Sequence, residues 1–559
     1  MFRRIGWQML LVGAGFLLTA MILAYMATTY TTEFRPANGG TYIESVGGYP
    51  QSLNPLLSFY NDADSDVVAL VFSGLTRIGM AGAVEPDLAT GWDIDPSGIT
   101  YTFSLNPGVI WHDGFYFTAD DVLFTISLLQ DPDYPGPPDI GALWRSVEVA
   151  KLNDYTVQFV LQEPYAPFLD YTTVGLLPRH QLNDIRAADL PNLEFNRQPI
   201  GTGPFRLTEV QTEQGQITTL TFRRFPRYYG PEPYLENIIL YFYPTARAAF
   251  EAYQDGVVEG VARITLDILP QAFADEDLKL HSAETAEMVM LYFNGLVTDT
   301  LPFDDAQIRQ ALFYALDRQA IVDTVLMGQA VIPQTPLLPG TWAYDTTDVP
   351  MYAYDPQQAI NILNQAGWRR ANTADTLRNM QGIPLAFSLM TSNDEQDLAV
   401  AREIVSQWAR IGISATVQAV PSLALTGLLE SRSYDAALVH LIIPGDPDPY
   451  PLWHETQALP GQGQNYTSFQ NRRISEIIEQ ARITVNPNQR LALYQEFQQL
   501  FMTEVPALPL YVPVYTYAID ARVNGDQMGP LMRTGDRFRT IADWYVLQRR
   551  VVASQQQQP

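Results

Sequence analysis

Between Gly91 and Leu129 the hydrophobic rhythm of the chain changes from two residues to four, which commits this stretch to a strand, a turn and a capped helix. Ile99, Tyr101, Phe103 and Leu105 alternate with Thr100, Thr102 and Ser104, the period of a strand with one buried face. Asn106, Pro107 and Gly108 close the strand, and His112, Asp113 and Gly114 make a second turn. Thr118 stands where an N-cap belongs, with Asp121 three positions on. Side-chain oxygens there satisfy the first free amides of a helix. Val122, Ile126 and Leu129 supply its apolar stripe.

A chain of 559 residues exceeds what one hydrophobic core supports, so about two to four domains are expected. Subtracting 61 acidic from 34 basic residues leaves a charge of -27, which repels phosphates and argues against a nucleic-acid partner. No cysteine is present, which removes disulfides, thiolate catalysis, cysteine zinc sites and a lipid-modified cysteine. The five histidines, His112, His180, His281, His440 and His454, form no HExxH or close metal pair, and no GxSxG or phosphate loop occurs. No metal, no cofactor and no enzyme activity are expected. Arg3 and Arg4 precede an apolar stretch from about Met9 to Met26. Residues 1–30 therefore read as a membrane-spanning anchor or a signal segment, with the body from Thr31 outside the membrane.

Short alternating strands and Pro/Gly turns run from Gly39 to about Ala286, as in Tyr155 to Leu161 and Ile217 to Phe225. From Leu301 to about Thr503 the texture is helical. Asp304 is positioned to cap a helix that buries Ile308, Ala311, Leu312, Ala315 and Leu316 and ends at Gly328; Asp355 and Pro356 open the next, closed by Gly367. Strands at 384–389, 414–420 and 435–443 then alternate with helices at 394–411 and 421–431, a pattern that predicts partly parallel strands. Leu398, Ala401, Val405 and Trp408 form the inward face of the first of these helices. Residues Ala507 to Ile519 return to strand texture, and Gln555 to Pro559 is a polar tail without core-forming residues.

The run Gly91–Leu129, the opening Pro50–Leu75, the turn Ile200–Leu207 (IGTGPFRL), Arg227–Gly230, Leu291–Gly295, residues 302–318 and Asp355–Trp368 occur in one order. Together they resemble the family 5 extracytoplasmic solute-binding proteins of ABC importers, the peptide, nickel and opine receptors. The resemblance implies an α/β, two-lobe, periplasmic-binding-protein-like (type II, Venus-flytrap) fold with an enlarged strand-rich first lobe, here preceded by one N-terminal transmembrane helix. The first lobe would hold residues 38–298 and a return segment, 506–548; the second would hold 299–505, with 549–559 a disordered tail. It also implies a monomeric receptor that closes on an extracytoplasmic solute and hands it to an ABC permease of two transmembrane subunits with their ATPases. An oligopeptide or dipeptide is the leading ligand; oligosaccharide, opine and metal chelate are the alternatives, and a secreted hydrolase with paired carboxylates is the contrasting class. Hinges are expected near Tyr292, Asn294 and Pro506.

Ligand residues follow from the same resemblance and from the place of the 445–450 loop beyond a strand end, the edge where open α/β sheets bind ligands. Asp446 is the positional match to the aspartate that accepts a peptide ammonium, with Asp448 beside it. Trp453 and Tyr466 offer aromatic surface for stacking, and Tyr60 and Asn61 stand in an early first-lobe loop. Lys151 and Lys279 are the only lysines, so a ligand carboxylate would meet a guanidinium. Arg206, Arg410 and Arg432 are open choices, each with surface solvation as its simpler role.

Overall fold

The computed structural model describes residues 13–23, 25, 32–296, 301–370, 377–461 and 463–552. Two hydrophobic cores organise it. One gathers Tyr42 to Ala262 with Tyr515 to Trp544, and the other gathers Ala286 to Val512. A small third cluster packs Phe250, Ile268 and Leu278 against Ala518.

One 12-stranded sheet runs through both cores. In the second lobe, Ala386–Ser392 lies parallel to Ser414–Val420 and Ala436–Ile442, and the latter pairs antiparallel with Glu287–Phe293. In the first lobe, Thr41–Gly47 pairs parallel with Asn237–Tyr243, followed by the antiparallel Gln216–Arg224 and Phe205–Glu213. The strand Ala507–Asp520 joins the halves. Its first part pairs with Glu287–Phe293 from Tyr292↔Ala507 to Val289↔Tyr511, and its second with Leu278–Glu284 from Glu284↔Val514 to Leu278↔Asp520. The lobes therefore exchange sheet partners at Thr285–Ala286 and Val512–Pro513.

That crossing lies away from the residues expected at the hinges. Tyr292 is fully buried in the second core, and Asn294 Nδ2 donates to the carbonyls of Arg432 and Tyr434. Pro506 precedes the crossing strand and follows Val505, a helix C-cap held at φ 48°. The texture change read from the sequence marks where strand begins, whereas the lobe boundary falls inside the continuous strand Ala507–Asp520 and at the break between Leu278–Glu284 and Glu287–Phe293.

The Gly91–Leu129 module folds as its rhythm dictates. Thr100–Leu105 joins a 4-stranded sheet with Ala89–Ile94, Glu148–Asn153 and Thr156–Val160. Thr118 and Asp121 form a capping box for helix Ala119–Gln130. His112 accepts the Gly201 amide at Nδ1, 3.3 Å away, so Nε2–H donates to Gly203 O at 3.0 Å. Burial lowers its pKa to about 4, and the neutral ring clamps the 201–204 turn.

The second-lobe helices lie within a residue or two of expectation, with one division. The run from Asp304 forms two helices, Ala306–Tyr314 capped by Asp305 and Arg318–Thr324 capped by Asp317. A second acidic cap interrupts the stripe. On Glu395–Arg410 the buried face is Val400, Ala401, Ile404, Gln407 and Trp408, so Leu398 and Val405 flank it.

The terminal assignments change too. Thr32–Ala37 pairs antiparallel with Leu547–Val552, so ordered chain begins before residue 38 and residues 549–552 form strand where a disordered tail was expected. The segment LQRRVV offers β-branched and arginine residues to a partner strand. Residues 553–559 lie outside the described residues. Residues 13–23 are helical with exposed side chains, and among the described residues no helix is long and apolar enough to cross a membrane. The rest of the expected anchor, 1–12, 24 and 26–30, lies outside the described residues.

Candidate functional site

The two lobes face each other across a cleft walled by loops and short helices together with Ile442 at the end of a sheet strand. One cavity of about 500 Å³ is lined by Phe59, Asn61, Asp170 and Arg533 of the first lobe and Ile442 and Asp446 of the second. A neighbouring cavity of about 790 Å³ is bounded by Leu143, Leu161, Pro336, Trp453, Gln464 and Arg482. Asp139, Tyr165, Tyr171, Ile442, Pro444 and Asp448 border both, so the two cavities adjoin. Their sizes are those of sites that enclose small ligands.

On the second lobe, the strand Ala436–Ile442 ends in the loop Gly445–Tyr450. Prolines 447 and 449 fix its course, and both aspartates are neutralised within the lobe. Asp446 makes a two-pronged ion pair with the buried Arg490, whose Nη2 lies 2.5 Å from Asp446 Oδ1. Burial raises the Asp446 carboxyl while Arg490 draws it back down. Arg490 is packed over Trp342 and Tyr494, and Tyr494 Oη donates to Pro447 O. Asp448 pairs with Arg482 at 3.1 Å. A bidentate guanidinium occupies the carboxylate edges that an ammonium would need, so Asp446 stands as a lobe-building residue rather than a free acceptor.

The first lobe presents groups without such partners. Asp170, in the short helix Phe168–Tyr171, accepts the Asp446 amide at 2.7 Å through Oδ2. Among the described residues no cation pairs with it. Burial, then the charge of Asp446, raises its pKa from 3.8 to about 7. Arg533 lies with its guanidinium carbon 4.5 Å from the Phe59 ring centroid and makes no ion pair among the described residues. Its segment is held rigidly. Asp536 accepts the Met532 and Arg533 amides, and Arg537, fully buried, pairs with Glu44 and Asp66.

The lobes also touch. Tyr165 Oη donates to Asp448 Oδ2 at 3.2 Å, Ala166 N–H donates to Arg482 O at 2.8 Å, and the Arg482 guanidinium sits between the Tyr165 and Tyr450 rings, 5.0 and 4.5 Å from their centroids. With the Asp170 contact these bonds hold a closed arrangement.

The other expected ligand residues divide. Asn61 lines the smaller cavity and caps helix Asp62–Val71 through its side chain. Trp453 borders the larger cavity but is 2% exposed, packed on Tyr292 and Phe501. Tyr60 is 76% exposed and lines neither cavity. Tyr466 lies under Arg432 at 5.1 Å and accepts Tyr434 Oη on its carbonyl, also away from both. Arg432 is spent on the carbonyls of Leu429, Glu430, Ala458 and Asn465, and Arg410 lies beside Glu403 at 3.7 Å. Arg206 lines neither cavity. Phe59, Tyr165, Asp170, Arg482 and Arg533 escaped the sequence reading. They stand in short helices, loops or helix ends where periodicity carries no signal.

Comparison with known proteins places this geometry. The oligopeptide-binding protein AppA of Bacillus subtilis is 30% identical over 506 residues, covering 89% of this chain and 90% of that protein. The structure of AppA with a nonapeptide superposes with a TM-score of 0.69 at 28% identity, over 92% of this chain and 100% of that one. NikZ from Campylobacter jejuni, in complex with Ni(L-His), gives 0.70 at 27% identity over 90% and 99%. Residues 83–460 match the family model described as bacterial extracellular solute-binding proteins, family 5 Middle. Two cores, a strand that crosses between them and a cleft walled by both thus accompany the sequence match, and the chain belongs to the family 5 bacterial extracellular solute-binding proteins.

Proposed function

We propose that this protein captures an oligopeptide or dipeptide outside the cytoplasm, encloses it between its lobes and delivers it to an ABC permease. The supporting observation is the interlobe cavity of about 500 Å³, lined by unpaired charge on one wall and by apolar and aromatic surface such as Ile442 and Phe59. Enclosure by two lobes that share a crossing strand fits capture and release by an open-closed equilibrium, which ligand shifts by binding one state better. AppA, seen with a nonapeptide, supports the peptide class. The protein acts as a monomer, and its N-terminal segment serves as leader or anchor for an extracytoplasmic body.

Titration of the dialysed full chain with a mixed library of di- to pentapeptides, read by tryptophan fluorescence and native mass spectrometry, tests this reading. Saturable binding with peptide recovered intact is expected. Product formation, or no retained peptide, would overturn it.

A further inference from the structure

Of the arginines at or beneath the cleft walls, two are already neutralised: Arg490 lies against Asp446 beneath the wall, and Arg482 pairs with Asp448. Arg533 differs from both. Its backbone amide is taken by Asp536, while its guanidinium lies over the face of Phe59, feels the charge of Asp536 and the Tyr134 hydroxyl, and makes no ion pair or side-chain hydrogen bond among the described residues. A guanidinium over a ring face can still use its N–H edges, the fork that fits a carboxylate in two places at once. The support beneath is stiff. Thr534 Oγ1 donates to Asp62 O at 3.2 Å, and Arg537 anchors the next turn on Glu44 and Asp66. A cation held this way loses little freedom when it binds.

Asp170 complements it within the same cavity of about 500 Å³. A Cβ placed on Gly445 would stand 3.6 Å from both Asp170 Oδ2 and Met532 Sδ, so the carboxylate and the segment that carries Arg533 converge at one point of the second-lobe loop. One carboxylate oxygen of Asp170 is used by the Asp446 amide, and the other has capacity for a cation. The negative and positive groups of this wall are thus both incompletely satisfied and both open to one space.

We infer that Arg533 and Asp170 form a zwitterion-reading pair on the first lobe, with Arg533 taking a ligand carboxylate and Asp170 a ligand ammonium. Asp446 does not hold the ammonium; it presents its backbone amide to orient Asp170 and gives its carboxylate to Arg490. This inference rests on the peptide reading above and assigns the polarity of that ligand. It favours peptides with both termini free over amidated or acylated ones.

The test uses the full-length protein and one tripeptide library in three forms: unmodified, C-terminally amidated and N-acetylated. The wild-type protein is expected to favour the unmodified over the amidated form by about 10- to 100-fold, the scale of a charge-assisted hydrogen-bond pair. Arg533→Gln should bring that ratio within about threefold, and Arg533→Lys should keep part of it. Asp170→Asn should erase discrimination against the acetylated form while leaving the acid-to-amide ratio in place. Because each readout is a ratio on one sample, partial misfolding does not move it. An Arg533→Gln protein with the wild-type acid-to-amide ratio overturns the inference while the peptide reading stands. Failure of the wild-type protein to bind any of the three forms overturns the peptide reading, and the assignment falls with it.

Discussion

The two walls of the cleft carry charge in opposite ways. On the second lobe, Asp446 and Asp448 are matched with Arg490 and Arg482, so the charges build the wall. On the first, Asp170 and Arg533 are left incompletely satisfied, while the buried network that supports them, Arg537 with Glu44 and Asp66, sits one layer below. A paired wall gives shape and an unpaired wall gives selectivity. A buried ion pair is costly to break but offers little to a ligand, because its lone pairs and protons are already used.

The largest effect is expected beneath the first-lobe wall. Arg537→Ala leaves Glu44 and Asp66 buried without their cation, which should cost about 3–5 kcal/mol of stability, read from the urea midpoint. An unchanged midpoint would show that this layer does not carry the wall. Asp446→Ala comes next and separates the walls most sharply. Removing it strands Arg490, so about 3 kcal/mol of stability should be lost while peptide affinity, corrected for the folded fraction, changes by less than about threefold. A fall of two or more decades in affinity at unchanged stability would return the ammonium to Asp446 and dissolve the contrast.

Much of the scaffold was legible in the sequence because local rules agreed there. Period-2 alternation at Tyr101 and Phe103, the Thr118 and Asp121 box, and the Asp355 cap each act within a few residues. The site was legible only as a loop address. Gly445–Tyr450 is where the ligand edge falls, but whether Asp446 is free depends on Arg490, which lies 44 residues on. No spacing rule reports such a partner. Likewise Arg533 gains its role from Phe59, brought near by the return of the chain to the first lobe. The crossing point was misplaced for a related reason: Ala507–Asp520 is one uninterrupted strand, and a change of sheet partner within it leaves no mark on composition.

Acidity offers a third test, confined to the first-lobe wall. In the closed arrangement burial and the neighbouring Asp446 raise Asp170 from 3.8 to about 7. A proton bound there favours closure. That contribution is fully present below the open-state pKa of about 4 and is lost as pH rises through about 7. Without ligand, small-angle scattering should therefore show the protein opening between about pH 4 and 7, and one proton allows a shift of no more than about tenfold per pH unit. Asp170→Asn should flatten the profile. A wild-type profile already flat over this range would mean that Asp170 does not feel closure.

The smallest expected effect is at the seam where the walls touch. Tyr165→Phe removes the hydroxyl that donates to Asp448 Oδ2 and that also lies against Tyr171 and Arg482. Asp448 keeps Arg482 and the Tyr450 amide, so no carboxylate is orphaned, and the cost should stay near 1 kcal/mol, or about fivefold in the closed population. Fluorescence-monitored closure at saturating and limiting peptide would resolve this. The second lobe already meets the needs of its own charges, so a bond that crosses the cleft from that side adds only its own net worth. A loss of several kcal/mol would mean that the Asp448–Arg482 pair depends on the first lobe, and that the paired wall is complete only when the cleft is shut.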